Sequence, residues 1–268
     1  MNIIAVTDPD RAWEEFGQED PYFGVITNPK FHNSNLNDEA IEEFFQSGET
    51  HVEHVCHTLR SKVKPSFKVN RVLDYGCGVG RLVVPFSKRC QSVVGVDVSP
   101  AMLAHAQKNC ERRSIDNAQF VLAADLRSLA PGSFDLVHSY IVFQHIPLAR
   151  GEEIFKDLIA LLAEGGVGAI QFTYAYDWRT LRRFLYEMRA RSGIVHSLLN
   201  VLQGKKFSRP FMQMNIYSFN RILDILYGAG CLNVHVEFSC HFGWRGAMVY
   251  FEKTSLAPPV NPCMLSAD

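Results

Sequence analysis

No uninterrupted apolar run in this 268-residue chain approaches the roughly 20 residues that a membrane-spanning helix needs. The first eleven residues also lack the basic-then-apolar order of a secretion signal, so the reading is a cytoplasmic protein with no stable membrane insertion. Seven cysteines, an odd number with no C-x-x-C pair, fit neither a disulfide framework nor a zinc site; reduced thiols and no metal are expected. Charge of one sign is missing too. With 27 Lys and Arg against 28 Asp and Glu, the net charge of −1 gives no global attraction to nucleic acid, so any phosphate recognition has to be local. What is present is ordinary for a globular chain, 47% hydrophobic and 21% charged, and the length suits one α/β domain with helical additions.

Residues 1–63 read as an N-terminal helical lid. Pro21, Gly24 and Pro29 punctuate a loop before Asn37 or Asp38 caps a helix, whose face carries Ile41, Phe44 and Phe45 at i, i+3, i+4 and which Gly48 ends. A second helix is expected over 49–63. From Asn70 the pattern changes. Short apolar runs at 71–74, 92–97, 118–123, 134–140 and 166–172 alternate with helical stretches at 80–89, 100–112 and 150–162, which indicates a parallel sheet covered on both faces. A helix at 218–228 and two strands at 232–241 and 247–252 follow. The short turn Gly243-Trp244-Arg245-Gly246 forces that last pair to run antiparallel. The expected fold is α/β, a doubly wound, seven-stranded, mostly parallel sheet with an antiparallel C-terminal hairpin. Its core spans 64–255, with a substrate-lid insertion at 176–215 and a proline-rich flexible tail at 256–268.

The strongest local signal is Val72-Leu73-Asp74-Tyr75-Gly76-Cys77-Gly78-Val79-Gly80, a buried strand running into a glycine-rich turn and a helix. Glycines there let the backbone turn sharply and approach a ligand closely. Alone, such a turn also serves dinucleotide phosphates or is merely a tight connection. Asp97 ends the neighbouring strand, seventeen residues beyond Gly80, where an acceptor-only carboxylate suits the two hydroxyls of a ribose. That combination does not choose between a nicotinamide dinucleotide and S-adenosylmethionine.

Asp74-x-Gly76-x-Gly78-x-Gly80 followed by Gly95-x-Asp97-x-Ser99-x-x-Met102-Leu103 resembles the first two motifs of class I S-adenosylmethionine-dependent methyltransferases. The resemblance extends over about residues 70–172, through Ala124-Asp125-Leu126, Phe134-Asp135-Leu136-Val137 and Leu161-Leu162-x-x-Gly165-Gly166, and includes the closing hairpin. The stretch from Trp13 to Val25 is similar to bacterial members that tailor small molecules. The resemblance implies S-adenosylmethionine as cofactor and a set of contacts. Asp74 would orient the glycine loop and the methionine ammonium, with Tyr75, Gly76, Cys77, Gly78 and Gly80 around the methionine half. Asp97 would take the ribose, with Val98 and Met102 beside the nucleoside. Asp125 would accept from the adenine amino group under Leu126, and Tyr140 would face the sulfonium. Cys77 reads as an ordinary small loop residue.

A sulfonium methyl is already activated, so alignment and water exclusion matter more than a base. Where the acceptor is a hydroxyl, His145 is the candidate catalytic residue, with a structural role as its alternative. His51, His54 and His57 stand at i, i+3, i+6 on a helix, a spacing compatible with an active-site role for one of them. The insertion holds Arg179, Arg182, Arg183, Arg189, Arg191, Lys205, Lys206 and Arg209 against only Asp177 and Glu187, which suits an acidic or carrier-bound acceptor or else a solvated face. The expected activity is methyl transfer to a small molecule at a hydroxyl, with N-methylation or RNA methylation as alternatives, by a monomer or homodimer. Nucleic acid is disfavoured as partner. Ser139-Tyr140-Ile141-Val142 stands where base-nitrogen methyltransferases carry an Asn/Asp-Pro-Pro-aromatic run.

Overall fold

The computed structural model describes residues 8–177, 186, 188–189, 192–202, 207, 211–241 and 243–254. The seven strands are β1 (Arg71–Tyr75), β2 (Ser92–Asp97), β3 (Ala118–Leu122), β4 (Phe134–Ser139), β5 (Leu162–Tyr176), β6 (Cys231–His241) and β7 (Trp244–Lys253). They form one sheet in the order β3-β2-β1-β4-β5-β7-β6. The first five pair in parallel, while β7 runs antiparallel to both β5 and β6. The order reverses between β1 and β4. In open α/β sheets the crevice at the carboxyl ends of two such strands is where ligands bind.

Alternation along each strand divides the core between the two faces of the sheet. Val72, Val93 and Leu136 pack beneath the N-terminal helices, whereas Leu73, Val94 and Val137 pack with Phe155, Leu158 and Ile225 on the other side. Both faces are thus covered, which explains the nearly continuous apolar runs of β1, β2 and β4. Of the helices in the core, α5 (Pro100–Glu111) is capped by Ser99, whose side chain accepts from Met102 N, and α6 (Leu148–Leu161) packs against β4 and β5. A later helix, α8 (Phe219–Gly228), is capped by Ser218. The short α4 (Val83–Ser87) replaces the longer helix expected from residue 80, because residues 78–82 are spent in turns that continue the glycine loop.

Two expectations for the N-terminal region need correction. Residues 9–25 form helices rather than a loop, α1 (Pro9–Glu19) and α2 (Pro21–Val25), each with proline in its first turn, where the missing N–H costs nothing. Gly48 also does not end a helix. A single α3 (Asp38–Thr58) runs through it, because a Cβ there would lie 2.3 Å from the carbonyl oxygen of Arg81; the glycine serves close packing against the loop after β1. Leu59–Val63 then closes α3 with one wide π turn. The hairpin is also tighter than expected, since Trp244 already pairs with His241.

In the insertion, α7 (Gly193–Leu202) is helical, as the sequence pattern suggests. Of the eight cations counted there, only Arg189 lies among the described residues. The tail, 256–268, also lies outside them.

Candidate active site

A cavity of about 730 Å³ opens above the carboxyl ends of β1, β2 and β4. Its base is the glycine loop. Gly76 and Gly78 have φ of +77° and +53°, the left-handed region, and side chains at either would collide with neighbours. A Cβ on Gly76 would lie 2.2 Å from Val142 Cγ2, and one on Gly78 2.5 Å from Val25 Cγ2. The loop is therefore pressed between the β4 end and the N-terminal segment. Gly76 N and Cys77 N both donate to Val96 O, which ties the loop to β2.

Asp74 and Asp97 stand at the ends of neighbouring strands and both line the cavity. Asp97 accepts from Gly78 N at 2.8 Å through one oxygen and from Ser99 N at 3.0 Å through the other. Burial pushes its pKa up to about 6 against the opposing pull of these backbone hydrogen bonds. A carboxylate offers about four acceptor sites, so capacity remains beyond its backbone donors for a ligand hydroxyl. Asp74 is 2% exposed, and its Oδ1 accepts from His138 Nδ1 at 2.8 Å. The other ring nitrogen of His138, Nε2, meets His51 Nε2 at 3.0 Å. The other oxygen of Asp74 has no hydrogen-bond partner among the described residues.

Arg81, also lining the cavity, is the complementary case. It is 8% exposed, its Nη1 reaches Ser47 Oγ at 3.4 Å, and its Nε has no hydrogen-bond partner among the described residues. Burial lowers its pKa, with Tyr140 and Asp74 acting in the opposite sense. A buried anion and a buried cation, each with an unspent hydrogen-bonding atom, thus flank the glycine loop. Unpaired buried polar atoms are costly and rare in folded proteins, and both of these residues line the cavity.

The roof comes from the N-terminal segment. Pro9, Asp10, Trp13 and residues 24–28 line the cavity, whereas Ser47 is the α3 residue that reaches it. The roof is anchored on α5: Glu14 accepts from Ser99 Oγ at 2.7 Å and from Ala101 N at 3.1 Å, and Tyr22 donates to Asn109 Oδ1 at 2.9 Å. Across the mouth, Arg150 Nη1 meets Asp10 Oδ1 at 2.7 Å.

Of the residues singled out in the sequence, Tyr75, Gly76, Cys77, Gly78, Val98, Met102, Tyr140 and His145 line this cavity beside Asp74 and Asp97. Three do not. Gly80 turns away, its open side facing Ala106. Asp125 is exposed on a 3₁₀ turn, Ala123–Ser128, and Leu126 is buried in the core with Leu73 and Tyr75. Burial pushes the Cys77 thiol well above its ordinary pKa, so it is held as an inert thiol.

His145 is fully committed to its neighbours. Its Nδ1 donates to Gln213 O at 2.8 Å, and its Nε2 accepts from Gln144 Nε2 at 3.1 Å. Gln144 in turn accepts from Thr173 Oγ1 at 2.8 Å, while Trp13 meets the imidazole edge-on at 4.9 Å. Burial brings the His145 pKa down to about 4, against the raising effect of the Gln213 hydrogen bond. Such a group is a weak base with an occupied lone pair. The three α3 histidines face different ways: His51 points inward to His138 and lies tilted against Tyr140, ring centroids 4.0 Å apart, His54 pairs with Glu237 at 2.7 Å, and His57 is exposed. Arg81, His138 and Gln171 belong to the site region although no motif announced them. For Arg81 the signal was its position directly after Gly80.

Residues 72–166 match the family model described as a methyltransferase domain. Over 75 residues, 26% of this chain, the sequence is 41% identical to a 23S rRNA (uracil(1939)-C(5))-methyltransferase of Aeromonas salmonicida; the match spans 17% of that protein. An uncharacterized RNA methyltransferase of Thermosynechococcus vestitus is 36% identical over 84 residues, 31% of this chain and 18% of its own length. The chain thus aligns with less than a fifth of the length of these curated relatives. Among solved structures, magnesium protoporphyrin IX methyltransferase from Synechocystis PCC 6803 with bound SAM aligns at TM-score 0.57 and 18% identity, covering 94% of this chain and 99% of that one. A phosphoethanolamine N-methyltransferase of Haemonchus contortus aligns at TM-score 0.59 and 15% identity, covering 91% and 60%. At such identities these likenesses speak for the fold. The matched residues run from the glycine loop through Asp97 to the first residues of β5, so the chain carries a region similar to a methyltransferase domain on a fold shared with proteins that bind S-adenosylmethionine.

Proposed function

We propose that the cavity holds S-adenosylmethionine across the tips of β1 and β2 and that the methyl group goes to a hydroxyl of a small molecule bound beside Tyr140. The observation that carries this reading is the pair of unspent buried atoms, Asp74 Oδ2 and Arg81 Nε, which match the ammonium and carboxylate of a methionyl group. When bound, the cofactor supplies a methyl group on a positively charged sulfur, already electrophilic. The protein's own residues then have three tasks. Asp97 accepts from the ribose hydroxyls while its backbone hydrogen bonds keep the glycine loop closed. Val98 and Met102 offer apolar surface to the base. Asp74 and Arg81 fix the amino-acid end, and the His138–His51 chain holds Asp74 in one orientation. The roof from Trp13 to Asn28 excludes water from the reacting atoms.

In this reading His145 is a positioning residue. It links the cavity wall to residue 213 and leaves proton removal to solvent or to the acceptor's own acidity. A small acceptor is favoured because the cavity is roofed and its far end is walled by Gln171, Thr173, Tyr186, Met212, Met214 and Trp244. RNA methylation is the second reading, supported by the RNA methyltransferases among the partial relatives and by the cations of residues 177–215. Transfer of labelled methyl from S-adenosylmethionine to a panel of small phenols, alcohols and amines, run beside total RNA, separates the two. Label in small hydroxyl compounds supports the proposal. Label in RNA alone, with affinity falling steeply as salt rises, overturns it.

A further inference from the structure

Beyond the cofactor half of the cavity, β5 contributes Gln171 and Thr173 to the wall. Two residues apart on one strand, they share a face of the sheet. Their hydrogen-bonding states differ. Thr173 is spent on Gln144, and Gln144 is spent on both Thr173 and His145. Gln171 is 3% exposed, yet its amide oxygen has no hydrogen-bond partner among the described residues. The amide lies over Gly246 of β7, where a Cβ would come within 2.5 Å of Gln171 Nε2, so glycine makes the room that this side chain occupies. Such a carbonyl, buried on a cavity wall whose other amide is satisfied, costs stability unless a ligand donor completes it.

The surroundings restrict that ligand. Trp244 and Tyr186 meet edge to face, ring centroids 5.5 Å apart, and Met212 and Met214 line the same end. Tyr186 is itself fixed there, since its hydroxyl accepts from Met214 N at 2.7 Å. Aromatic and thioether walls favour flat, polarisable rings. Among the described residues, the charged ones lining the cavity lie elsewhere: Asp74, Arg81 and Asp97 at the glycine loop, Asp10 and Arg150 paired at the mouth.

We infer that Gln171 is a specificity-determining residue for the acceptor, and that the acceptor is an uncharged aromatic or conjugated ring bearing an O–H or N–H that donates to the Gln171 amide oxygen. This rests on the methyltransferase reading and narrows its substrate class. A direct test loads the full chain with saturating S-adenosylhomocysteine and titrates two matched pairs by calorimetry: 2-naphthol against 2-methylnaphthalene, and indole against benzofuran. Each pair keeps ring shape and removes the donor. At least one donor-bearing ring should bind roughly tenfold more tightly than its partner, the cost of leaving one buried acceptor unpaired. Gln171→Met should abolish that gap, Gln171→Glu, which keeps an oxygen acceptor, should preserve it, and Gly246→Ala, which displaces the amide, should narrow it. Equal binding within both pairs overturns the inference, as does a gap that survives Gln171→Met. Binding of none of the four rings, or of phosphoethanolamine in their place, overturns it too. Because cofactor-product affinity is measured first in every variant, loss of that binding counts against the methyltransferase site itself and is distinguishable from failure at Gln171.

Discussion

Replacing His145 by glutamine should cost stability at neutral pH and progressively less as the solution is acidified. The wild-type imidazole has a pKa of about 4 in the folded chain, where burial disfavours the charged form, against about 6.5 when unfolded. As pH falls below 6.5 the unfolded chain takes up a proton that the native chain refuses, so wild-type stability declines until about pH 4 is reached. From pH 7.5 to pH 5 this linkage removes roughly 2 kcal/mol from the wild type, at about 1.4 kcal/mol per pH unit. The variant has no such proton to take up. Asp97 titrates in the same window with the opposite sign, because its raised pKa favours the folded state at low pH, and this contribution is lost as pH rises through about 6. It is common to both proteins and cancels in their difference. Urea unfolding of both at pH 7.5 and pH 5 gives that difference directly. A mutational cost that stays constant with pH would refute a buried neutral imidazole and reopen the reading of His145 as a base poised near neutrality.

Three further outcomes follow from the geometry. Cofactor-product affinity should fall as pH drops below about 6, by about tenfold per unit, because the ribose acceptor Asp97 becomes protonated; calorimetry at pH 7.5 and pH 5 measures it, and a flat profile contradicts Asp97 as the acceptor. Gly48→Ala should destabilise the fold by about 1–3 kcal/mol, since a Cβ 2.3 Å from Arg81 O forces α3 off the loop; denaturant midpoints check this, and an unchanged midpoint contradicts the packing. Arg150→Ala should change stability by less than about 1 kcal/mol, as expected for a pair that is 42% and 39% exposed, while speeding cofactor-product release if the Asp10 contact closes the mouth; stopped-flow displacement reads the rate, and an unchanged rate contradicts that closure.

The sheet was legible because its signals are local and repeated. β2 spans the expected residues, and α5 starts at the proline that follows its serine cap. Asp74, Gly76, Gly78 and Asp97 were legible because loop chemistry demands those residue types at fixed spacing. What stayed hidden depends on distant partners. Gly48 looks like a helix stop until Arg81 O is seen beneath it. His138 reads as one more strand residue, and only the parallel register that sets Asp74 opposite His138 reveals the imidazole chain. Pro21 looks like loop punctuation because the apolar face of a short helix is recognisable only against the surface it covers. His145 stood at the expected place, but its capacity as a base was set by Gln144 and Gln213, which no spacing rule connects to it.

The central claim is that this cavity grips the amino-acid end of S-adenosylmethionine through one buried carboxylate and one buried guanidinium. Calorimetric titration of S-adenosylhomocysteine into the wild type, Asp74→Asn and Arg81→Met tests it most directly, with melting temperatures confirming that each variant is folded. The account predicts a clear isotherm for the wild type and a loss of at least about tenfold for each variant, the expected effect of removing a charged hydrogen-bond partner. Folded variants that bind as tightly as the wild type would contradict it.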